Sequence, residues 1–203
     1  ILSARRPTEK DGAGFFFPAF GSKKNPTMSL TLIFGSMFSG KTEELIRRVR
    51  RYEAIGWTAC VVNSSSDTRV AGRKVVRTHT GATHAAVVTS DLSEIGPDPK
   101  VVAVDEAQFF EDLEAHVRRW VEDEKRHVIL SGLSGDFRRR SIGSMQDLIP
   151  FADEVVWKRA LCAECRDGTL ASFSQRMDAE DTRVVVPGGS DMYRAVCRRH
   201  FTE

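Results

Sequence analysis

The hydrophobic pattern changes period along the chain. Residues 30–34 read Leu-Thr-Leu-Ile-Phe, a run of the kind that fills a buried strand. Residues 35–40 read as a loop. From 42 to 55 the period lengthens to that of a helix, with Leu45, Ile46, Val49 and Tyr52 on one face and Arg47, Arg48, Arg50 and Arg51 on the other. Glu43 and Glu44 fall in the first turn, where the helix dipole favours acids, and Gly56 offers a stop. Strand-like runs follow at 58–63, 74–79 and 85–89, before Pro97 and Pro99 interrupt the chain. Residues 101–104 are fully apolar. Leu113, Val117, Trp120 and Val121 predict an amphipathic helix over 111–125, and 128–130 is a further apolar strand. Short apolar strands alternating with helices predict an α/β fold, with a mostly parallel sheet covered on both faces.

The texture changes at both ends. Beyond Trp157, paired cysteines, short β-like runs at 170–174 and 183–186 and a Pro-Gly-Gly turn at 187–189 predict a small β lobe. The division expected is an α/β domain over 28–157 and the lobe over 158–203. Residues 1–27 mix Arg5, Arg6, Lys10, Lys23 and Lys24 with a phenylalanine cluster and show no period. They are expected to be a disordered arm, a targeting remnant or a non-native extension, outside the fold.

Composition narrows the choice of partner. A chain of 203 residues that is 41% hydrophobic can build a core. Its formal net charge of +2 gives no global electrostatic reason to expect a nucleic-acid or membrane partner. No apolar run is long enough to span a bilayer. The four cysteines come without a secretory signal pattern, which points to metal binding or reduced thiols and to a reducing, cytoplasmic compartment.

Residues 35–42 read Gly-Ser-Met-Phe-Ser-Gly-Lys-Thr and match the phosphate-loop pattern G-x-x-x-x-G-K-[ST] between a strand and a helix. Glycines let the backbone curl so that successive N–H groups face phosphate oxygens, and the helix start adds its positive end. Gly35, Ser36, Met37, Phe38, Ser39, Gly40, Lys41 and Thr42 are therefore expected to bind ATP. Lys41 would reach the β- and γ-phosphates, and the Thr42 hydroxyl would ligate Mg²⁺.

The apolar strand at 101–104 runs into Asp105-Glu106. An acid at the C-terminal end of a buried strand beside a phosphate loop suits Mg²⁺, which assigns Asp105 to the metal. Glu106, one residue on, could face the acceptor and take its proton as general base. The competing explanation is an acidic pair that merely caps the next helix.

Cys162-x-x-Cys165 and Cys197-x-x-His200 form two pairs at the spacing of tetrahedral zinc ligands. A closed four-ligand Zn²⁺ site would be structural and would clamp two distant segments together. A redox C-x-x-C is the alternative, but it usually opens a helix in a thioredoxin-like setting, which is not seen here. His79, His84, His116 and His127 have no ligand spacing, and Cys60 reads as a small buried hydrophobe.

Taken in order, these motifs resemble the type II thymidine kinases, the cytosolic and poxviral type. The resemblance runs from about Met28 to His200. It rests on the phosphate loop, Asp67-Thr68-Arg69, Asp105-Glu106-Ala107-Gln108-Phe109-Phe110 and Gly135-Asp136-Phe137-Arg138. It continues through Cys162-Ala163-Glu164-Cys165 with Ser172-Phe173-Ser174-Gln175-Arg176, and ends in the stretch 188–200. It implies a P-loop (RecA-like) α/β sheet with a C-terminal zinc-binding β lobe, whose lasso-type loop covers the nucleoside. The implied activity is transfer of the ATP γ-phosphate to the 5′-hydroxyl of thymidine or deoxyuridine.

Glu106 looks like the family's catalytic base. Asp67, Thr68, Arg69, Asp105, Glu106, Ala107 and Gln108 look like nucleotide contacts. Met37, Phe109, Leu133, Phe137 and Tyr193 look like the nucleoside pocket, Arg176 like a phosphate-side arginine, and Val184, Val185, Val186, Pro187 and Gly188 like the backbone segment that reads the base edge. The resemblance further implies a homotetramer inhibited by thymidine triphosphate, with neither a membrane nor a nucleic-acid partner.

The sequence departs from the family in places. Ser134 stands where an acid is usual, two residues are added between Cys165 and Ser174, and the arm before Met28 has no counterpart. With little chain after His200, a C-terminal destruction signal is not expected. Two rival readings start from other features. One is a P-loop ATPase acting on nucleic acid. The other is a nucleic-acid module using Arg138-Arg139-Arg140 and Arg198-Arg199, for which solvated loop surface or triphosphate contact is the preferred explanation.

Overall fold

The computed structural model of the chain describes residues 28–66, 74–78, 80–177 and 189–202. The expectations for 1–27, for Asp67, Thr68 and Arg69, for His79, and for the strand at 183–186 with Pro187 and Gly188 lie outside the described residues. The central strands are β1 (Ser29–Gly35), β2 (Ala59–Ser64), β3 (Val75–Arg77), β4 (Thr83–Ala85), β5 (Val87–Thr89), β6 (Val101–Asp105), β7 (His127–Leu133) and β8 (Glu154–Lys158). Six of them form one sheet in the order β5-β2-β6-β7-β1-β8. Every pairing within that sheet is parallel.

Alternation within each strand makes two cores. Leu30, Leu32 and Phe34 of β1, Val102 and Val104 of β6, and Val128 and Leu130 of β7 face one side. Ile33, Val101, Ala103 and Ile129 face the other. Helix α1 (Lys41–Glu53) covers the second side with Leu45, Ile46 and Val49. Helix α2 (Leu113–Arg118) covers the first with Leu113 and Val117. Because both faces are dry, the strands read as continuous apolar runs.

Three elements differ from the sequence reading. The run at 74–79 does not enter the sheet; β3 pairs antiparallel with β4 as a separate hairpin. The run at 85–89 breaks at Ala86, and only its second half, β5, joins β2. The helix at 111–125 passes from α2 into a π-helical turn over Arg119–Asp123, where Trp120 and Val121 both pack into one core.

The sequence pattern does not reveal β8. It is a half-exposed edge strand, and Trp157 is 59% exposed while stacking on Phe34 at 5.1 Å. Arg48 of α1 ties this edge down, reaching Glu44 at 2.7 Å and Glu154 at 2.5 Å. Hydrogen bonding from Arg47, aided by Arg48 and opposed by burial, pulls the Glu44 carboxyl down to about 2. Short strands follow: β9 (Ala160–Leu161), β10 (Leu170–Ala171), β11 (Phe173–Arg176) and β12 (Tyr193–Val196). They pair as β9–β10 and β11–β12, both antiparallel. Among the described residues no helix is long and apolar enough to cross a membrane.

Candidate active site

The loop over residues 36–40 leaves β1 and enters α1. Gly40 takes φ 77°, a left-handed conformation suited to glycine, and α1 begins at Lys41. Gly35 is needed for another reason: a β-carbon there would collide with Ser39 and lie 2.6 Å from the Lys158 carbonyl oxygen. Lys41 is buried, and its Nζ donates to the Ser36 carbonyl at 2.9 Å. The loop is also fastened to the C-terminal strands. The Ser36 hydroxyl donates to the Ala171 carbonyl at 3.2 Å, and the Met37 N–H donates to Ser174 Oγ at 2.9 Å. The Phe38 ring packs against the small core formed by Ala160, Ala171, Ala195 and Val196.

The acidic pair lies across from this loop. Strand β6 ends on Asp105, which is 2% exposed. Thr42 Oγ1 donates to Asp105 Oδ2 at 2.8 Å, and the buried Ser131 hydroxyl donates to Oδ1. A hydroxyl and a carboxylate oxygen therefore meet where the strand end faces the start of α1. Those are the hard donors that Mg²⁺ prefers. Glu106 is buried in the left-handed region at φ 51°, ψ 42°, and begins the 3₁₀ turn Ala107–Phe109. Gln108 Nε2 donates to Glu106 Oε2 at 2.7 Å, while Gln108 Oε1 accepts from the Leu133 N–H at 3.2 Å. The acidic pair does more than cap a helix, since Asp105 ends a strand and Glu106 makes no side-chain cap.

A loop leads away from β7. The Ser134 N–H donates to the Gly35 carbonyl at 3.2 Å, which joins the loop to the end of β1. Asp136 Oδ1 accepts the N–H groups of Arg138 and Arg140, each at 2.8 Å. This winding presents Phe137. The Arg176 guanidinium lies 3.9 Å from the Phe137 ring centroid and donates to the Tyr193 hydroxyl at 2.9 Å. Four of the five arginines that sequence offered to nucleic acid meet partners within the molecule. Arg138 covers Phe137, Arg139 lies 4.4 Å from the Phe201 ring centroid, Arg140 reaches Asp136 and Arg198 covers Phe173.

Cys162, Cys165, Cys197 and His200 converge, with all their ligand atoms within 4.8 Å of one another. Cys165 Sγ lies 3.8 Å from Cys197 Sγ and 3.3 Å from His200 Nδ1, and Cys197 Sγ lies 3.6 Å from the same nitrogen. Two sulfurs about 2.3 Å from a tetrahedral centre stand about 3.8 Å apart, so the spacing fits Zn²⁺, and it is far too long for a disulfide. Burial pushes the Cys162 thiol up, but N–H groups of Cys165 and Cys197 and the His200 ring outweigh it, and the thiol falls to about 6. That favours at Cys162 the thiolate a metal needs, while burial pushes the Cys165 thiol up.

Comparison with known proteins decides the family. The thymidine kinase family profile matches residues 28–201. The chain is 39% identical over 178 residues to thymidine kinase a of Arabidopsis thaliana, covering 84% of this chain and 73% of the relative. It is 36% identical over 180 residues to the cytosolic thymidine kinase of Gallus gallus, covering 88% and 79%. It is 37% identical over 177 residues to the thymidine kinase of Monkeypox virus, covering 86% and 97%. The chain belongs to the thymidine kinase family.

For this member of the thymidine kinase family, the structure brings several expected site residues together. Thr42 meets Asp105, and Arg176 joins Phe137 to Tyr193 across three segments. Phe109 and Leu133 are both partly buried, in the 3₁₀ turn after β6 and at the end of β7. Val184, Val185 and Val186 lie with Pro187 and Gly188 outside the described residues. The sequence reading gave no site role to Ser131, Asp136 or Ser174, although it quoted the last two within motifs. Asp136 supplies the loop's acid two residues after Ser134, and a carboxylate after a glycine in a loop is a recognisable turn signal. A cavity of about 450 Å³ is lined by Phe38, Leu161, Arg166, Tyr193 and Arg194 among others; its lining includes neither Asp105 nor Glu106.

Proposed function

We propose that this chain transfers the γ-phosphate of ATP to the 5′-hydroxyl of thymidine, forming the monophosphate and ADP. Membership of the thymidine kinase family supports the reaction, and one observation carries the assignment of residues. The Thr42–Asp105 hydrogen bond draws the end of β6 to the phosphate loop, with buried Glu106 one residue beyond.

In this reading the N–H groups of 36–42 and the Lys41 ammonium bind the donor phosphates. Thr42 and Asp105 would hold Mg²⁺, which when bound neutralises charge on the donor. Glu106 accepts the 5′-hydroxyl proton as that oxygen bonds to the γ-phosphorus and the bond to the β-phosphate oxygen breaks. Met37, Phe109, Leu133, Phe137 and Tyr193 form the nucleoside pocket, with Arg176 on its phosphate side. The covering loop excludes water. Asp67, Thr68 and Arg69 contact the nucleotide, as do Ala107 and Gln108, and 184–188 reads the base edge through its backbone. Backbone groups held in fixed positions recognise a base without losing side-chain entropy.

The nucleotide unit in this proposal is 28–157. In the lobe 158–203, Cys162, Cys165, Cys197 and His200 would hold a structural Zn²⁺. Resemblance to the family supports extending the proposal to a homotetramer, to inhibition by thymidine triphosphate and to a cytoplasmic location. The test is a nucleoside panel with labelled ATP, scored by the monophosphate formed. Thymidine and deoxyuridine are expected to be phosphorylated well ahead of deoxycytidine and the purine nucleosides. Labelling of none of them, or ATP hydrolysis stimulated solely by single-stranded DNA, would refute the proposal.

A further inference from the structure

We infer that Gln108 is a positioning residue that aims the Glu106 carboxylate and locks it to β7. The inference rests on the reading of Glu106 as the acceptor of the 5′-hydroxyl proton.

The backbone of Glu106 is left-handed, a conformation that persists in a side-chain-bearing residue when its surroundings over-determine it. The 3₁₀ turn that follows returns Gln108 beneath Glu106, closed by the Phe109 N–H donating to the Glu106 carbonyl at 3.1 Å. Gln108 is 4% exposed. Its amide has two chemically different ends, and the Leu133 N–H can bond only to the oxygen end. Fixing Oε1 there forces Nε2 toward Glu106, whose ionised carboxylate is acceptor-only. One amide therefore ties the base to the end of β7, beside Leu133, an expected member of the nucleoside pocket.

Two glycines make room for this arrangement. A β-carbon at Gly132 would stand 2.7 Å from Gln108 Oε1 and 2.5 Å from Met145 Sδ. At Gly143, with φ 64°, a β-carbon would run into the Gln108 carbonyl. Neither glycine touches the phosphate loop in these contacts; both preserve space around Gln108. The sequence reading placed Gln108 among the nucleotide contacts, and the geometry gives its side chain this second task.

The test compares Gln108→Glu, Gln108→Met and Glu106→Gln in the full chain, with melting temperature and ATP affinity measured for each. Gln108→Glu keeps an oxygen for the Leu133 N–H but replaces the amide donor with a second carboxyl group, which repels Glu106 or shares its proton. It is expected to lower kcat by roughly 10- to 100-fold, the range for losing a hydrogen bond to a charged group, and to move the thymidine KM less than about threefold. Gln108→Met removes both bonds at similar volume, so kcat falls by a like factor and the thymidine KM rises as well.

The inference is overturned if both Gln108 variants turn over within about twofold of wild type while Glu106→Gln is crippled. It is equally overturned if the loss in both lies in KM alone, as a merely structural role would give. Near-normal kcat in Glu106→Gln would remove the underlying reading as well, so the two failures are distinct. Should Gln108→Glu not fold, Gln108→Met decides by its kcat.

Discussion

Asp136 holds the loop that follows β7. Its Oδ1 accepts two backbone N–H groups, and its own N–H donates to the Arg140 carbonyl at 2.8 Å. Asp136→Ala strands those donors. It is expected to lower stability by about 1–3 kcal/mol and, by releasing Phe137, to raise the thymidine KM with ATP affinity unchanged. Urea unfolding and steady-state kinetics check both, and an unaltered KM would separate this loop from the nucleoside. The position also shows what sequence can reveal. Lys41, Thr42, Asp105 and Glu106 were legible because their chemistry is written in adjacent residues and in the strand before them. Ser131, Ser174 and the side-chain role of Gln108 were not, because each depends on a partner from another segment. Ser174, for instance, serves a backbone N–H 137 residues away.

Among the elements, the strands buried on both faces were the legible ones. β1, β6 and β7 are almost continuous apolar runs, and their register aligns them in parallel. Edge strand β8 and the β4 half of the hairpin were not, since partial exposure blurs the apolar signal. The C-terminal strands raise a different problem. β9 and β10 are two residues long, and the core beneath them is mostly alanine and valine. Among the described residues the fully buried part of this core is small, with Phe38, Phe173 and Phe201 partly buried around it, and a metal clamp would supplement it. A strong chelator, or Cys162→Ser, should therefore release about one zinc per chain and expose the amides of β9–β12 to hydrogen exchange. Metal analysis finding no zinc in active protein would contradict the clamp.

At the scale of the whole molecule, the sheet delivers its chemistry to one end. The phosphate loop leaves β1, the acidic pair leaves β6, and the Phe137 loop leaves β7, all from C-terminal strand ends. The lobe then closes on this edge, with Ala171 and Ser174 bonded to the phosphate loop and Arg176 stacked on Phe137. The proposed donor site, base and nucleoside cover are thus brought to one end of the sheet, and family membership supports the reaction proposed for them. Single-turnover transfer from labelled ATP to thymidine by Glu106→Gln, alongside ATP affinity, tests that account most directly. A fall in rate of at least about a hundredfold with ATP binding retained is predicted; a rate within a few-fold of wild type would contradict it.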